Sequence, residues 1–412
     1  TCTKFADPTT GWDKKTTADR LDERSTANIL STRVILSWSD KWETSKIKGG
    51  VPFKWADDDS NLSTAQKSLL GVESNTIGAK IKEKGINVLN YIRGDRDLEG
   101  VDPKDYTDDK PFRQRQSRQG DIVNSEIWYT GAPSGNYSLS GYGAFASTYK
   151  DRTPMLYVGG NDGMLHGFSA VDGEEKIAYV PRGVIGNLKK LSEPNYVHQY
   201  FVDGSPMTGD VKLSGGWATM LVGTLGAGGK GYFILDVTDP SSFSSALPTT
   251  LVKRDRTRGN SESEPNCGAI TDVAQKAACT TAVEQDKDIG NILASPVRDA
   301  NNLQQSTQIT RMNNDRWAVV MGNGYNSANQ RPVLLVQYLD GSGAEEMRLK
   351  TIPATADAAG SGKANDNGLS APALVDLNGD GRTDVVYAGD NLGNLWKFDL
   401  TSEDDSKWDV AG

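Results

Sequence analysis

The chain has 412 residues, 36% of them hydrophobic, with 44 glycines and a formal net charge of −9. That length allows two or three ordinary domains or one large repeat array. The acidic balance and the lack of a long basic run argue against nucleic acid as a partner, and no stretch of about eighteen apolar residues is present to form a transmembrane segment.

The opening Thr1-Cys2-Thr3-Lys4 carries neither an initiator Met nor an apolar signal region. The chain therefore reads as part of a longer polypeptide whose export signal would lie upstream. Cys2 has no evident partner, and residues 1–60 carry no nameable motif. Asp57-Asp58-Asp59-Ser60-Asn61 could hold a cation, but consecutive acids point in different directions, and a solvated loop with helix-capping carboxylates is the better reading. Leu62 to Leu70 and Ile77 to Ile92 have helical apolar spacing, with Ser63 and Gln66 placed to form a capping box. Arg93-Gly94-Asp95 is an integrin-type tripeptide; at the end of a helical run it also reads as a helix terminus with a solvated charge cluster. Asp97 to Arg118 is charged and loop-like. Residues 1–115 are thus expected to be a helical and loop region leading into residues 116–412.

From about residue 120 the chain is periodic. Short segments with a small residue at a bend recur at Ile122–Ser125, Val202–Pro206, Leu293–Pro296 and Leu369–Pro372. Each precedes an apolar run ending in glycine: Met155–Gly159, Trp217–Gly223, Trp317–Gly322 and Asp384–Gly389. A third run follows at Gly163–Phe168, Gly231–Asp236, Pro332–Val336 and Gly393–Asp399. A fourth is expected at Lys176–Val180 and Met347–Ile352. Short strands recurring with variable loops predict propeller blades, each burying the face of its neighbour. A pair of β-sandwiches is the competing architecture. Four copies are few for a closed ring, so residues 1–115 or sequence beyond this chain would supply the rest.

His166 and His198 are the only histidines. Neither belongs to a metal motif, and His166 reads as a satisfied strand residue. The run Gly223 to Gly231 lacks the Lys-Ser/Thr ending of a phosphate loop and is expected to be a flexible hairpin. Val252 to Asp288 is polar and reads as a surface insertion. It holds Cys267 and Cys279, whose disulfide would staple a loop and imply an oxidising compartment; two free thiols are the alternative. No nucleophile elbow is visible, and two histidines leave few general bases.

The stretch Asp376-Leu377-Asn378-Gly379-Asp380-Gly381-Arg382-Thr383-Asp384 places oxygen-bearing side chains at positions 1, 3, 5 and 9, with glycine at position 6. Asp376, Asn378, Asp380, Asp384 and the carbonyl of Arg382 can wrap one hard cation, and three carboxylates with one amide favour Ca²⁺ over Mg²⁺. Where an EF-hand has a bidentate Glu stands Tyr387, inside an apolar strand. A polar hairpin that binds nothing would not need Asp376 and Asp384.

Several phrases resemble the PilC/PilY family of adhesins and assembly factors at the tips of bacterial type IV pili. They are Asn90-Tyr91-Ile92-Arg93-Gly94-Asp95-Arg96, Phe112-Arg113-Gln114-Arg115, Gly120 to Ser125, Tyr157 to Phe168, Tyr200 to Pro206 and the acidic loop. The resemblance spans roughly residues 85 to 400. It implies an all-β, modified β-propeller with quinoprotein-like blades and helical or loop insertions. It further implies a non-enzymatic, calcium-binding factor that regulates pilus extension and retraction, with roles in twitching motility, surface attachment and virulence. Its partners would be type IV pilus subunits (minor pilins) and a host or abiotic surface receptor, and its location the pilus tip at the cell surface, associated with the outer membrane. Some members are linked to integrin binding. The alternative is a quinoprotein dehydrogenase, whose propeller also uses Ca²⁺, but in a central channel against its cofactor.

Overall fold

Every apolar run that ends in glycine forms a strand paired antiparallel with its chain neighbours in a sheet, and four such sheets follow one another along the chain. The computed structural model describes residues 12–43, 46–71, 79–100, 109–260, 262, 267–342, 345–354 and 367–411. Helices α1 (Thr17–Asp22), α2 (Thr26–Thr32), α3 (Thr64–Gly71) and α4 (Ala79–Arg93) precede the repeats. The predicted cap of α3 is present: Ser63 Oγ accepts from the Gln66 N–H at 3.1 Å while Gln66 Oε1 accepts from the Ser63 N–H at 3.0 Å. Ile77 and Cys2 lie outside the described residues.

The first 115 residues are not only helix and loop. Strands β1 (Ile35–Glu43) and β2 (Lys46–Pro52) join β3 (Trp128–Thr130), β4 (Met155–Gly159), β5 (Leu165–Ser169) and β6 (Glu175–Val180) in one sheet, ordered β2-β1-β6-β5-β4-β3. The β1–β6 pairing is parallel, with Ile35 opposite Ala178. Burial of Ile35, Leu36, Trp38, Val51 and Phe53 in the main core drives the addition.

The second sheet contains β7 (Met207–Leu213), β8 (Gly216–Thr224), β10 (Tyr232–Asp236) and β11 (Val252–Asp255), with the short pair β9 (Gly229–Lys230) and β12 (Arg258–Gly259) beside it. The expected surface insertion therefore begins with a sheet strand: Val252 is buried opposite Leu235. The glycine-rich run is likewise packed rather than flexible. A Cβ on Gly228 would sit 1.9 Å from the carbonyl oxygen of Phe201, so glycine permits the backbone approach.

A hairpin, β13 (Arg298–Asp299) and β14 (Asn302–Ser306), leads to the third sheet: β15 (Ile309–Met312), β16 (Trp317–Gly322), β17 (Val333–Tyr338) and β18 (Leu349–Pro353). The fourth holds β19 (Ala373–Val375), β21 (Val385–Gly389), β22 (Leu395–Asp399) and β23 (Asp409–Val410); between its first two strands, β20 (Arg382–Thr383) leaves to pair in parallel with β15 of the third. One core runs through the first three sheets and a second joins the third and fourth.

The segments expected as first strands are instead lead-ins, and the ladders start at Trp128, Met207 and Ala373. Their polar groups are spent on neighbouring lead-ins and strand ends. Ser125 Oγ accepts from the Gly159 N–H at 2.8 Å, and Ser205 Oγ accepts from the Glu126 N–H at 3.0 Å. Pro206, Pro296 and Pro372 have no N–H to give a ladder.

Candidate metal-binding loop

The acidic loop hangs between β19 and β21 and crosses the joint between the third and fourth sheets. Gly379 and Gly381 both take φ of +79°, a left-handed conformation that lets the loop curl over its first residue. Asp376 sits under that curl: its Oδ1 accepts from the Gly379 N–H and its Oδ2 from the Gly381 N–H, each at 2.7 Å. Asn378 Oδ1 accepts from the Asp380 N–H at 2.9 Å. At the far end Asp384 is 4% exposed, accepting from the Leu377 N–H at 2.8 Å and from Asn313 Nδ2 at 3.1 Å. Asn313 also donates to the carbonyls of Thr383 and Leu400, so one side chain from the third sheet ties together the start of β21 and the end of β22 in the fourth.

Asp380 faces a cation already. Arg382 Nη1 donates to it at 2.9 Å, and the same guanidinium reaches Asp315 at 2.6 Å. Among the described residues no group of three or more His, Cys, Asp or Glu side chains converges as a metal site. The reason is local: Asp384 turns inward to the joint and Asp380 outward to Arg382. The donor set and the glycine turns are of the kind that suits Ca²⁺.

The other candidate residues are engaged structurally. Arg93 is 2% exposed and donates to the carbonyls of Phe53 (2.8 Å) and Leu30 (2.7 Å). Gly94 accepts from Arg118 Nε, and Asp95 Oδ1 accepts from the Asp97 N–H. As placed, the tripeptide does not present its arginine to a partner. Beside the acidic triplet, Lys67 Nζ lies 3.2 Å from Asp59 and donates to the carbonyls of Ala56 (3.0 Å) and Asp58 (2.8 Å), occupying the place a cation would take. Cys267 and Cys279 are joined by a disulfide, with Cα atoms 5.7 Å apart, bracing the helix Val273–Asp286.

His166 and His198 do not form a shared site. His198 pairs with Asp121 at 2.8 Å on the surface. His166 is fully buried, with Nδ1 2.8 Å from Glu175 and Nε2 3.1 Å from Asp162; the latter contact crosses the β4–β5 turn rather than a helix. Glu175 also receives Arg33 at 2.5 and 2.8 Å. Burial alone would push His166 down, but the two carboxylates outweigh it and hold its pKa up at about 9. Burial pushes Glu175 up, and Arg33 and His166 pull it down to about 2. The residues of this buried four-charge cluster come from two distant segments, Arg33 and residues 162–175, which no local window contains together.

Residues 119–264 and 282–411 match the family described as the PilY1 beta-propeller domain. The match skips residues 265–281, which hold both cysteines and everything between them. Type IV pilus biogenesis factor PilY1 of Pseudomonas aeruginosa strain PAK is 37% identical over 332 residues, covering 77% of this chain and 23% of that protein. A PilY1 homolog of Xylella fastidiosa strain Temecula1 is 35% identical over 340 residues, covering 79% and 20%. The crystal structure of the Pseudomonas aeruginosa PilY1 C-terminal domain aligns with 69% of this chain and 50% of its own, at 32% identity and a TM-score of 0.48. The chain spans about a quarter of the length of these curated relatives or less.

Proposed function

The chain belongs to the PilY1 β-propeller family, and from that premise we propose that it is the calcium-responsive propeller portion of a longer, exported type IV pilus biogenesis factor. The four sheets serve as blades of a modified propeller. Its partners are pilus subunits and a surface receptor, met at the pilus tip at the cell surface, in association with the outer membrane. The relatives are named as biogenesis factors, which supports a non-catalytic role over a dehydrogenase.

One observation carries the reading: the candidate calcium loop is also the joint between two sheets. Asp376, Asn378, Asp380, Asp384 and the carbonyl of Arg382 would hold the ion. When bound, Ca²⁺ supplies positive charge that relieves repulsion among the carboxylates. Arg382 bonds Asp315 of the third sheet, β20 pairs with β15, and Asp384 bonds Asn313. Ordering the loop therefore stiffens the joint, and losing the ion frees Arg382 to hold Asp380 instead. A change at that joint alters how the blades present their edges to pilus subunits, which is the route to control of extension, retraction and attachment.

The test is calcium titration of the purified protein by calorimetry, followed by hydrogen exchange with and without the ion. Binding with slowed exchange in β15, β20 and β21 is expected. No heat at millimolar Ca²⁺, or binding without any change at the joint, defeats the reading.

A further inference from the structure

A cleft of about 490 Å³ opens where the N-terminal strand β1, the second sheet and the disulfide-braced helix meet. Such a volume suits a small organic ligand. Trp38 of β1 and Ile270, Ala282 and Val283 give it apolar walls, and the buried Cys279 of the disulfide closes the helix side. Facing them are the guanidinium groups of Arg182, Arg254 and Arg256.

The charges in the cleft are unequally matched. Asp286 bonds Arg256 at 2.7 Å. Asp59 is held by Lys67 at 3.2 Å and Lys41 at 3.8 Å. Asp255 accepts from Tyr179 Oη at 2.6 Å and from the Arg182 N–H at 2.8 Å, and the charges of Glu262, Asp255, Asp286 and Asp40 offset Arg182. Among the described residues Arg254 has no carboxylate in ion-pair contact, and only the more distant charges of Glu346 and Asp286 act on it. Its Nη2 donates to the Glu346 carbonyl at 2.9 Å, while its enclosed Nε, like those of Arg182 and Arg256, has no acceptor among the described residues. Burial and then the neighbouring charge of Arg256 bring its pKa down to about 10. Arg254 therefore makes no hydrogen bond to a carboxylate among the described residues, and a guanidinium edge matches a carboxylate through two parallel hydrogen bonds.

We propose that this cleft binds a small carboxylate with an apolar body, its acid group on Arg254 and its hydrocarbon against Trp38, Ile270 and Val283. The site is separate from the acidic loop and does not depend on calcium.

The experiment titrates the full-length protein with decanoate, decanol and acetate by calorimetry. Decanoate is expected to bind at least tenfold more tightly than either of the others, since only it satisfies both the cation and the apolar wall. Arg254→Met should weaken decanoate at least tenfold, and Arg254→Lys should keep part of the affinity. Ala282→Trp, which fills the cleft from the helix side, should abolish binding in a protein with an unchanged circular dichroism spectrum. Equal binding of decanoate and decanol, unchanged affinity in a folded Arg254→Met or Ala282→Trp variant, or no decanoate binding at millimolar concentration would each overturn the proposal.

Discussion

Asp376→Ala and Asp384→Ala both remove one proposed calcium ligand, yet the structure separates their consequences. Asp376 is exposed, and its oxygens bond only N–H groups of its own loop. Asp384 is buried and caps the Leu377 N–H while receiving Asn313 from the neighbouring sheet. Hydrogen bonds to a charged acceptor contribute about 1.5–3 kcal/mol each. Asn313 keeps the carbonyls of Thr383 and Leu400 as acceptors, so roughly one such bond, about 2 kcal/mol, is lost without recovery in Asp384→Ala. Calcium-free thermal unfolding should therefore fall for Asp384→Ala and hardly change for Asp376→Ala, while calorimetry shows weakened calcium binding in both. Arg382→Ala keeps the backbone carbonyl and releases Asp380. Exposed ion pairs are weak, so affinity should rise by no more than about fivefold. Calcium binding at wild-type strength in both Asp variants would refute the ligand assignment. Weaker binding in Arg382→Ala would refute the competition between guanidinium and ion.

The buried cluster gives a pH prediction. His166, raised to about 9, contributes stability that is complete below its ordinary value near 6.5 and is lost as pH climbs through 9, on the order of 3 kcal/mol. Glu175, lowered to about 2, contributes stability present above its ordinary range and lost as pH falls through 2. Denaturant unfolding should therefore show a plateau between about pH 4.5 and 6.5 and a decline on the alkaline side; Glu175→Gln, which strands Arg33, should lose about 3–5 kcal/mol at neutral pH. Arg93→Ala should cost about 2–4 kcal/mol by leaving the Phe53 and Leu30 carbonyls without their donor, read by thermal unfolding; any loss of surface attachment should follow that loss of fold. Removing the disulfide, which closes a loop of sequence separation 12, should cost up to about 3 kcal/mol, with faster hydrogen exchange in Val273–Asp286 and unchanged protection in β16 and β17.

The central strands were legible because they are apolar on both faces and end where glycine lets another chain segment approach. β16 and β17 are buried at every position, so periodicity and burial agree. The lead-ins misled because their composition is strand-like while their hydrogen bonds go to Ser, Asp and Asn side chains on distant segments, which a local window does not contain. β1 and β2 were missed for a related reason. The partner of β1 in the main sheet, β6, lies about 140 residues away and pairs with it in parallel, and β2 joins the sheet only through its antiparallel pairing with β1. β11 was hidden by Lys253 and Arg254, which face solvent and cleft rather than core.

The acidic loop shows the same division between local and distant information. Its spacing announces a set of oxygen donors, but not that Arg382 occupies one of them or that Asp384 is committed to the joint. Position 7 of such a loop needs only a carbonyl, so its side chain is free to serve the fold, and here it bridges to Asp315 across the sheet boundary. The same residue thus offers its backbone to an ion and its guanidinium to the acid that must reach that ion. Occupancy of the loop and the electrostatics of the joint are consequently coupled by one side chain. On the proposed reading, that coupling would give calcium a differential effect on two arrangements of the joint, which any ligand needs before it can shift a conformational equilibrium.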